Sequence, residues 1–206
     1  MALTKVRGSG LDGATALKNQ ELILDTDGDT SIQATTDDTV VIKTSNTTGM
    51  TITSDGTFLP QKVPCAFMYR NGSGGNAAAD SWTKIAFDAE EFDVGGIADT
   101  TDNRFEFTTA TAGVYFFSAS IRLVQTSILN RAIISLRKNA GTYLGQMEIN
   151  IPDITGTMYP QIHCNSIVSV ADGDYIDAAY YITSGATTTI SNTRSATNMF
   201  CYRISA

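Results

Sequence analysis

The sequence predicts an all-β protein, and three observations lead to that prediction. The 206-residue chain alternates short runs of β-branched and aromatic residues with clusters of Gly, Asn, Asp and Ser. No stretch of useful length places apolar residues at helical spacing. Only 17% of the residues are charged, and Thr, Ser, Asn, Gly and Ala fill the difference. Many short strands without intervening helices predict a β-sandwich or jelly roll.

Composition also excludes several classes of partner. The net charge of −7 and the pI near 4.6 argue against nucleic acid, because phosphate binding needs clustered Lys and Arg. No apolar run is long enough to span a membrane, and the first residues lack the apolar stretch of a signal peptide. Cys65, Cys164 and Cys201 fit neither a disulfide framework nor a zinc site. We expect them to be buried, with pairing of two of them as the alternative.

Residues 22–60 contain a loose repeat of short apolar clusters separated by polar turns. The clusters are Leu22–Leu24, Ile32, Val40–Ile42 and Met50–Ile52. One copy of such a segment cannot bury its own apolar side chains, since repeats of this kind need neighbouring copies. We therefore predict a thin β-structured stalk made by three chains, and the alternative is a disordered polar linker. The preceding residues, 1–21, are predicted to attach the chain to something larger, and Ala14–Leu22 favours a brief helix.

The stalk includes Asp25, Asp27 and Asp29, which resemble half of a calcium loop. A calcium-binding EF-hand loop needs Gly at its sixth position and Glu at its twelfth. Here Gly28 is fourth and Thr36 is twelfth. A polar turn is the favoured interpretation, and no metal site is predicted.

Pro60 and Pro64 mark the predicted boundary of a head domain, residues 61–206, because closely spaced prolines interrupt strand pairing. The predicted strands of this head are 65–70, 82–87, 103–108, 113–122, 131–138, 143–149, 161–171, 174–183 and 197–205. At its centre lies the hairpin RFEFTTATAGVYFFSASI, residues 104–121. Tyr115 and Phe117 share one face of its second strand and Phe116 lies on the other, because side chains alternate along a strand. Large groups on both faces predict burial in a sandwich core or at a subunit contact.

Four landmarks in order carry a family resemblance that covers about residues 64–206. They are NRFEFTTATAGVYFFSASI, SLRKNAG, VADGDYIDAAYYI and the last strand MFCYRI. Together they resemble the globular head of complement component one, subcomponent q, which shares its trimeric jelly roll with the tumour necrosis factor family. Tyr202 departs from the family, which usually has a small residue near that place. No collagen stalk precedes the head; residues 22–58 look instead like bacteriophage fibre stalks.

The combination resembles a small phage fibre protein. The resemblance implies a homotrimer in the virion, joined to a tail or capsid protein through residues 1–21. A surplus of aromatic residues supports the trimer independently, because one sandwich has a single interior. The aromatic residues assigned to the trimer contact or core are Tyr115, Phe117, Tyr175, Tyr180 and Tyr181. The alternative is a monomer with a half-exposed aromatic face.

The long loops of the head are the predicted binding region. Loops 123–130, 150–160 and 184–196 alternate with tight turns at 139–142 and 172–173, so all three should lie at one end. Their amide, hydroxyl, carboxylate and aromatic groups suit a host-surface glycan, although a protein receptor is also possible on this pattern. The predicted receptor-binding residues are Gln125, Ser127, Asn130, Asp153, Thr155, Tyr159, Ser191, Asn192 and Arg194.

No enzyme chemistry is predicted, and no cofactor. His163 and Cys164 are strand neighbours that point to opposite faces, so they cannot act as a nucleophile and base together. Glu90, Glu91 and Asp93 lie on one segment, which favours a solvated loop over a glycosidase pair. Two other functions remain open at this point. One is a structural capsid decoration without a specific receptor, and the other is a signalling head of the tumour necrosis factor kind.

Overall fold

The computed structural model describes residues 21–36, 38–60, 62–72, 75–125, 129–151, 156–184 and 188–205. Every regular element in these ranges is a β-strand, which confirms the all-β prediction for this part of the chain. Nowhere in the same ranges is there an apolar helix with the length needed to cross a membrane. Contacts divide the chain into two units, Met1–Lys62 and Val63–Ala206.

The first unit is an antiparallel meander whose five strands pair in chain order. Its strands are β1 (Glu21–Ile23), β2 (Ser31–Thr36), β3 (Thr39–Thr44), β4 (Thr47–Ile52) and β5 (Phe58–Pro60). β2, β3 and β4 coincide with the apolar clusters of the repeat. The predicted helix over Ala14–Leu22 is wrong at its last two residues, which belong to β1, and the rest of it lies outside the described residues.

Most apolar side chains of this meander are exposed. Phe58 is 65% exposed, Leu24 53% and Leu22 48%, whereas Val41 is buried at 8%. A sheet buries a face only when a second layer covers it. Within the described part of this unit no second layer exists, so its apolar surface is left open.

The second unit, the head, contains the remaining strands. They are β6 (Cys65–Tyr69), β7 (Thr83–Lys84), β8 (Ala89–Val94), β9 (Ala98–Asp99), β10 (Arg104–Glu106), β11 (Gly113–Val124), β12 (Leu129–Lys138), β13 (Thr142–Ile151), β14 (Gln161–Val170), β15 (Tyr175–Ser184), β16 (Thr189–Ile190) and β17 (Asn198–Ser205). The predicted strands agree with these to within two residues at either end, except 82–87, of which only β7 pairs.

Two antiparallel sheets enclose the core of the head. The front sheet has the order β14-β11-β17-β6-β8, with β16 beside β11. The back sheet has the order β13-β12-β15-β10-β9, with β7 beside β15. Alternation along each strand turns one set of side chains inward, among them Tyr115 and Phe117, both 0% exposed. Phe107 packs edge-on against both rings, at centroid distances of 4.9 and 5.9 Å.

The acidic segment that contains Glu90, Glu91 and Asp93 is β8, so its interpretation as a loop is wrong. β8 is the outermost strand of the front sheet, a position where charged side chains discourage pairing with other chains. Asp93 has a structural role, because its carboxylate accepts hydrogen bonds from the N–H groups of Ile97 and Ala98, each at 3.0 Å.

The head has a base and a loop end. The tight turns after β12 and β14 lie at the base, and there the N–H of Arg203 donates to the carbonyl of Pro64 at 3.0 Å. The chain therefore enters the head at the base, and β17 ends there. The connections β11–β12, β13–β14 and β15–β17 lie at the opposite end.

Candidate functional site

The three long loops of the head meet at the loop end, as the alternation of turns predicts. The N–H groups of Gln125 and Met158 each donate to the other residue's carbonyl, at 3.0 and 2.8 Å. β16 pairs with the end of β11 through Leu123 and Ile190. A fourth segment, unforeseen in the sequence, joins them, because Asn76 bridges to Thr189.

Several predicted receptor-binding residues are exposed at this end. Tyr159 is 61% exposed, and the Arg194 side chain is 55% exposed. Asn130 and Asn192 are exposed as well. Ser127, Asp153 and Thr155 lie outside the described residues, so their assignment stays a prediction.

Gln125 and Ser191 are buried rather than presented to solvent, and for them the expected surface position is corrected. Gln125 is 0% exposed and accepts a hydrogen bond from the hydroxyl of Thr188. Ser191 is 8% exposed, and its hydroxyl accepts a hydrogen bond from Arg122 Nη2 at 3.0 Å. Both residues lie in loops that pack on each other, so their polar groups hold the loops together.

A cavity of about 420 Å³ opens beside the connection from β16 to β17. We call it the loop-end cleft; its lining residues are Phe67, Thr193, Arg194, Ser195 and Asn198. The amide of Asn198 donates to the carbonyl of Arg194 at 2.8 Å and so fixes this connection. The volume is within the usual range for small-ligand sites.

The cleft combines one aromatic ring with hydrogen-bonding groups. The Arg194 guanidinium carbon lies 5.6 Å from the Phe67 ring centroid, and Arg194 Nη2 lies 3.0 Å from Glu91 Oε1. Thr193 and Ser195 add hydroxyls. Rings of this kind pack on the apolar face of a sugar, while hydroxyl and amide groups bond to its hydroxyls. The sequence singled out Arg194 here but missed Phe67, because only the strand register brings β6 next to this loop.

The outer surface of the front sheet carries a second feature, an apolar patch. We call it the outer apolar face and define it by Phe92, Phe116, Ile167, Phe200, Tyr202 and Ile204. Ile167 is 65% exposed, Ile204 50% and Tyr202 46%. Register aligns Phe116 with Ile167 on one side and Tyr202 on the other. The ring of Phe116 lies 5.5 Å from that of Tyr202 and 5.8 Å from that of Phe200.

Charge distribution sets the same sheet apart. The strands β6, β11, β14 and β17 contain no Asp or Glu, although the chain as a whole carries 21 acidic residues. The front sheet therefore combines exposed aromatic groups with an absence of negative charge on four adjacent strands. A large apolar patch of this kind normally marks an interaction surface.

Comparisons with known proteins support the fold but no family. No family model matches the chain, and a search of curated proteins found no match. Among solved structures, murine APRIL at pH 5.0 matches with a TM-score of 0.51 at 10% identity, covering 69% of this chain and 100% of that one. Eiger TNF from S. frugiperda matches with a TM-score of 0.52 at 14% identity, covering 70% of this chain and 94% of that one. The head has a tumour necrosis factor-like jelly-roll fold.

The predicted jelly roll is thus confirmed. The globular domain of zebrafish complement 1qA also matches, at 13% identity over 69% of this chain and 97% of that one, but its TM-score of 0.45 is too low to carry an argument.

The aromatic residues assigned to the trimer contact or core occupy the inside of this jelly roll or its back sheet. Tyr115 and Phe117 are fully buried, and Tyr180 is 4% exposed with its hydroxyl accepting from the N–H of Ala78 at 3.2 Å. Tyr175 lies under Arg104 and Tyr181 beside Trp82. None of the five belongs to the outer apolar face. The exposed or half-buried aromatic residues of the outer apolar face are instead Phe92, Phe116, Phe200 and Tyr202.

Burial keeps the thiols and the central phenol of the jelly roll uncharged. Desolvation raises the pKa of Cys164 to about 12 and that of Tyr115 to about 12, and burial also raises the pKa of Cys201. A nucleophilic cysteine needs the opposite shift. His163 is exposed and Cys164 buried, on opposite sides of β14.

Two groups of three acidic residues are present in the described part of the chain. Asp25, Asp27 and Asp29 lie together, and the Asp25 carboxylate accepts from the N–H of Gly28 at 3.0 Å, which fits the predicted turn. Asp99, Asp102 and Glu106 form the other group, where Arg104 Nη2 lies 2.8 Å from Asp102 and also pairs with Glu106. Arg104 already supplies positive charge there.

Proposed function

We propose that this chain is a homotrimeric bacteriophage fibre protein. It attaches to the particle through residues 1–21, extends through a β-stalk and binds a host-surface glycan at the loop end of its head. The observation that carries this proposal is the outer apolar face, five of whose six residues lie on strands without carboxylates. The phage assignment draws on the combined resemblance of the stalk repeats and the head.

The outer apolar face supports assembly with further copies of the same chain. Ile167, Tyr202 and Ile204 are between 46% and 65% exposed. Burying them against another copy removes apolar area from water, which is favourable. A protein with a net charge of −7 repels its own copies, and β6, β11, β14 and β17 add no negative charge to that repulsion, because these four strands carry no acidic residue. The occupant that best fits such a surface is therefore a second copy.

The meander of the first unit has the same requirement. Leu22, Leu24 and Phe58 are exposed in one copy, so a stalk of three copies would cover them by packing the three sheets together. Both units then gain their missing apolar contacts in one assembly. A shared need for partners in two separate units supports the trimer more strongly than either unit does alone.

Glycan binding is proposed for the loop end because that end is opposite the base where the chain enters the head. The loop-end cleft provides a ring, two hydroxyls and an amide for a sugar. Three clefts in one trimer and several fibres on one particle would raise a weak single contact by avidity, on the order of a hundredfold or more. The role is binding rather than catalysis.

The trimer is tested by native mass and one pair of variants. We expect the full chain to have three times its 22.0 kDa mass. Ile167→Glu adds a charge to the outer apolar face and should shift the mass toward a monomer without unfolding the head. Met147→Glu, at a residue that is 47% exposed on the back sheet, is the matched control and should remain trimeric. A monomeric wild-type chain would overturn the proposal.

Receptor binding is tested by adsorption of the purified full-length protein to host cells. Saturable adsorption that falls in a Tyr159→Ala, Arg194→Gln double variant is the expected result. Arg131→Gln, on the back sheet, is the control for loss of one positive charge. Adsorption that never saturates, with the trimer intact, would indicate a structural decoration of the capsid instead.

A further inference from the structure

We infer that Arg122 makes the loop-end site selective for saccharides that carry a carboxylate, such as uronic acids. This inference rests on the proposed glycan-binding function and names the class of glycan. The observation behind it is a guanidinium at the loop end that has no carboxylate partner among the described residues.

Arg122 projects from β11 toward the loop that lines the cleft. Its Nη2 donates to Ser191 Oγ at 3.0 Å and to Thr193 Oγ1 at 3.1 Å, and both acceptors are neutral hydroxyls. Its Nε is buried and has no hydrogen-bond partner. The full positive charge of Arg122 is therefore held in place by uncharged groups, with Nη1 left for a ligand.

Several other arginines of the head are paired with carboxylates. Arg137 pairs with Asp177 and Arg131 with Glu148, at 2.8 and 3.0 Å, while Arg194 pairs with Glu91 at 3.0 Å. Arg203 resembles Arg122 in pairing with no carboxylate among the described residues, but its Nη1 donates to the backbone carbonyls of Ala110 and Ala112 rather than to hydroxyls beside the cleft. The pattern at Arg122 is the one expected when the negative partner is supplied by a ligand.

The strands around Arg122 reinforce this contrast. Arg122 is opposite Gln161 on β14, and the next outward pair along the same strands is Ser120 with His163. Gln161 Nε2 donates to Ser120 Oγ at 2.9 Å, and Ser120 Oγ donates to the carbonyl of Ala196. The groups facing Arg122 from β14 and from the loop after β16 are thus amide, hydroxyl and imidazole, without a carboxylate among those described.

The site fits a carboxylated sugar better than a phosphate. Arg122 does not itself line the cleft, but Thr193 both accepts from Arg122 and lines it, so the guanidinium is one side chain away from the cleft. The cleft's ring and hydroxyls suit a sugar.

The test compares two saccharides that share their ring hydroxyls and differ in whether their carboxyl groups are charged. Trigalacturonic acid carries carboxylates, and its methyl ester has the same hydroxyls without the charge. Titration calorimetry of the full-length protein at low ionic strength should show binding of the acid and at least about tenfold weaker binding of the ester. Arg122→Gln should remove this preference, and Arg122→Lys should keep a reduced one because it keeps the charge. Arg131→Gln loses the same charge on the back sheet and should behave as wild type.

Three results of the titrations would overturn the inference. These are equal binding of acid and ester, equal loss of binding in Arg131→Gln, and displacement of trigalacturonic acid by sodium phosphate at equal concentration. Failure of the proposed function is recognised separately. If cell adsorption is saturable and Arg122→Gln does not change it, the inference is wrong and the proposed receptor-binding function stands. Arg122-dependent binding of the acid by a protein that does not adsorb to cells supports the inference and removes the receptor role.

Discussion

Buried charge shows what single residues contribute in this head. Arg137 Nε and Nη2 each lie 2.8 Å from one carboxylate oxygen of Asp177, in a two-pronged pair. The Asp177 side chain is 2% exposed and the Arg137 side chain 12%. Each charge depends on the other, because neither has access to much water.

Asp177→Ala should therefore lower the free energy of unfolding by about 3–5 kcal/mol, since it leaves the Arg137 charge buried and alone. Urea denaturation of wild type and variant measures the change. The control is Glu148→Ala, which breaks a pair whose side chains are about half exposed, and its cost should be under about 1 kcal/mol. Equal effects for the two variants would contradict the argument.

Asp174 links stability to acid. Burial alone would raise the pKa of Asp174, but hydrogen bonds from Lys138, Ala171 and Asn139 outweigh it and lower the pKa to about 2. A carboxyl group whose pKa is lower in the folded state stabilises the protein at pH values above its unfolded-state pKa. This stabilisation is lost as the pH falls toward the folded-state pKa. Asp174→Asn should thus reduce the unfolding free energy at pH 7, and the difference should shrink from about pH 4 to pH 2. Denaturation curves across this range test it.

The two sheets approach closely where β13 meets β14, and this leaves no room for a side chain at Gly145 of β13. A Cβ built on Gly145 would lie 2.5 Å from the carbonyl oxygen of Asn165 on β14, which is backbone and cannot swing away. Gly145→Ala should push the edges of the sheets apart and destabilise the head by about 1–3 kcal/mol. Gly141→Ala, where the nearest atom is 3.7 Å away, is the control. Thermal unfolding compares them, and similar melting temperatures would refute the clash.

At the level of strands, the sequence predicted most elements because alternation and turn residues act locally. β11, β12, β14 and β15 each have long β-branched or aromatic runs between turn signals, and their bounds agree with the structure. β8 escaped prediction because its charges are tolerated only at a sheet edge, a property of the assembled sheet. The cleft escaped for a similar reason, since Phe67 and Arg194 are brought together by register between β6 and β17.

At the level of the whole molecule, folding and assembly should be coupled. If apolar groups of both units are covered only in the trimer, the assembled state gains stability as protein concentration rises. The melting temperature of the full chain should then increase over a hundredfold range of about 1 to 100 μM, while Ile167→Glu should melt at a temperature independent of concentration. Calorimetry at several concentrations measures both, and a constant wild-type melting temperature would argue against coupling.

The sequence showed many aromatic residues in these strands but not which of them face the core and which face outward. Tyr115 and Phe116 are neighbouring aromatic residues of β11. The ring of Tyr115 packs against Phe107 and Phe117, whereas that of Phe116 packs against Phe200 on the outer face. Which face of β11 meets the back sheet depends on the packing of all the strands together. The same limit applies to Arg122, because only the assembled strands show that none of the described residues places a carboxylate beside it.

The four strands without carboxylates have a consequence for the pH dependence of the proposed trimer contact. Acidification discharges Asp and Glu below about pH 4 and so weakens contacts that depend on them. β6, β11, β14 and β17 contain no such group. If three copies meet through these four strands as we propose, the trimer contact should persist at a pH low enough to protonate Asp and Glu.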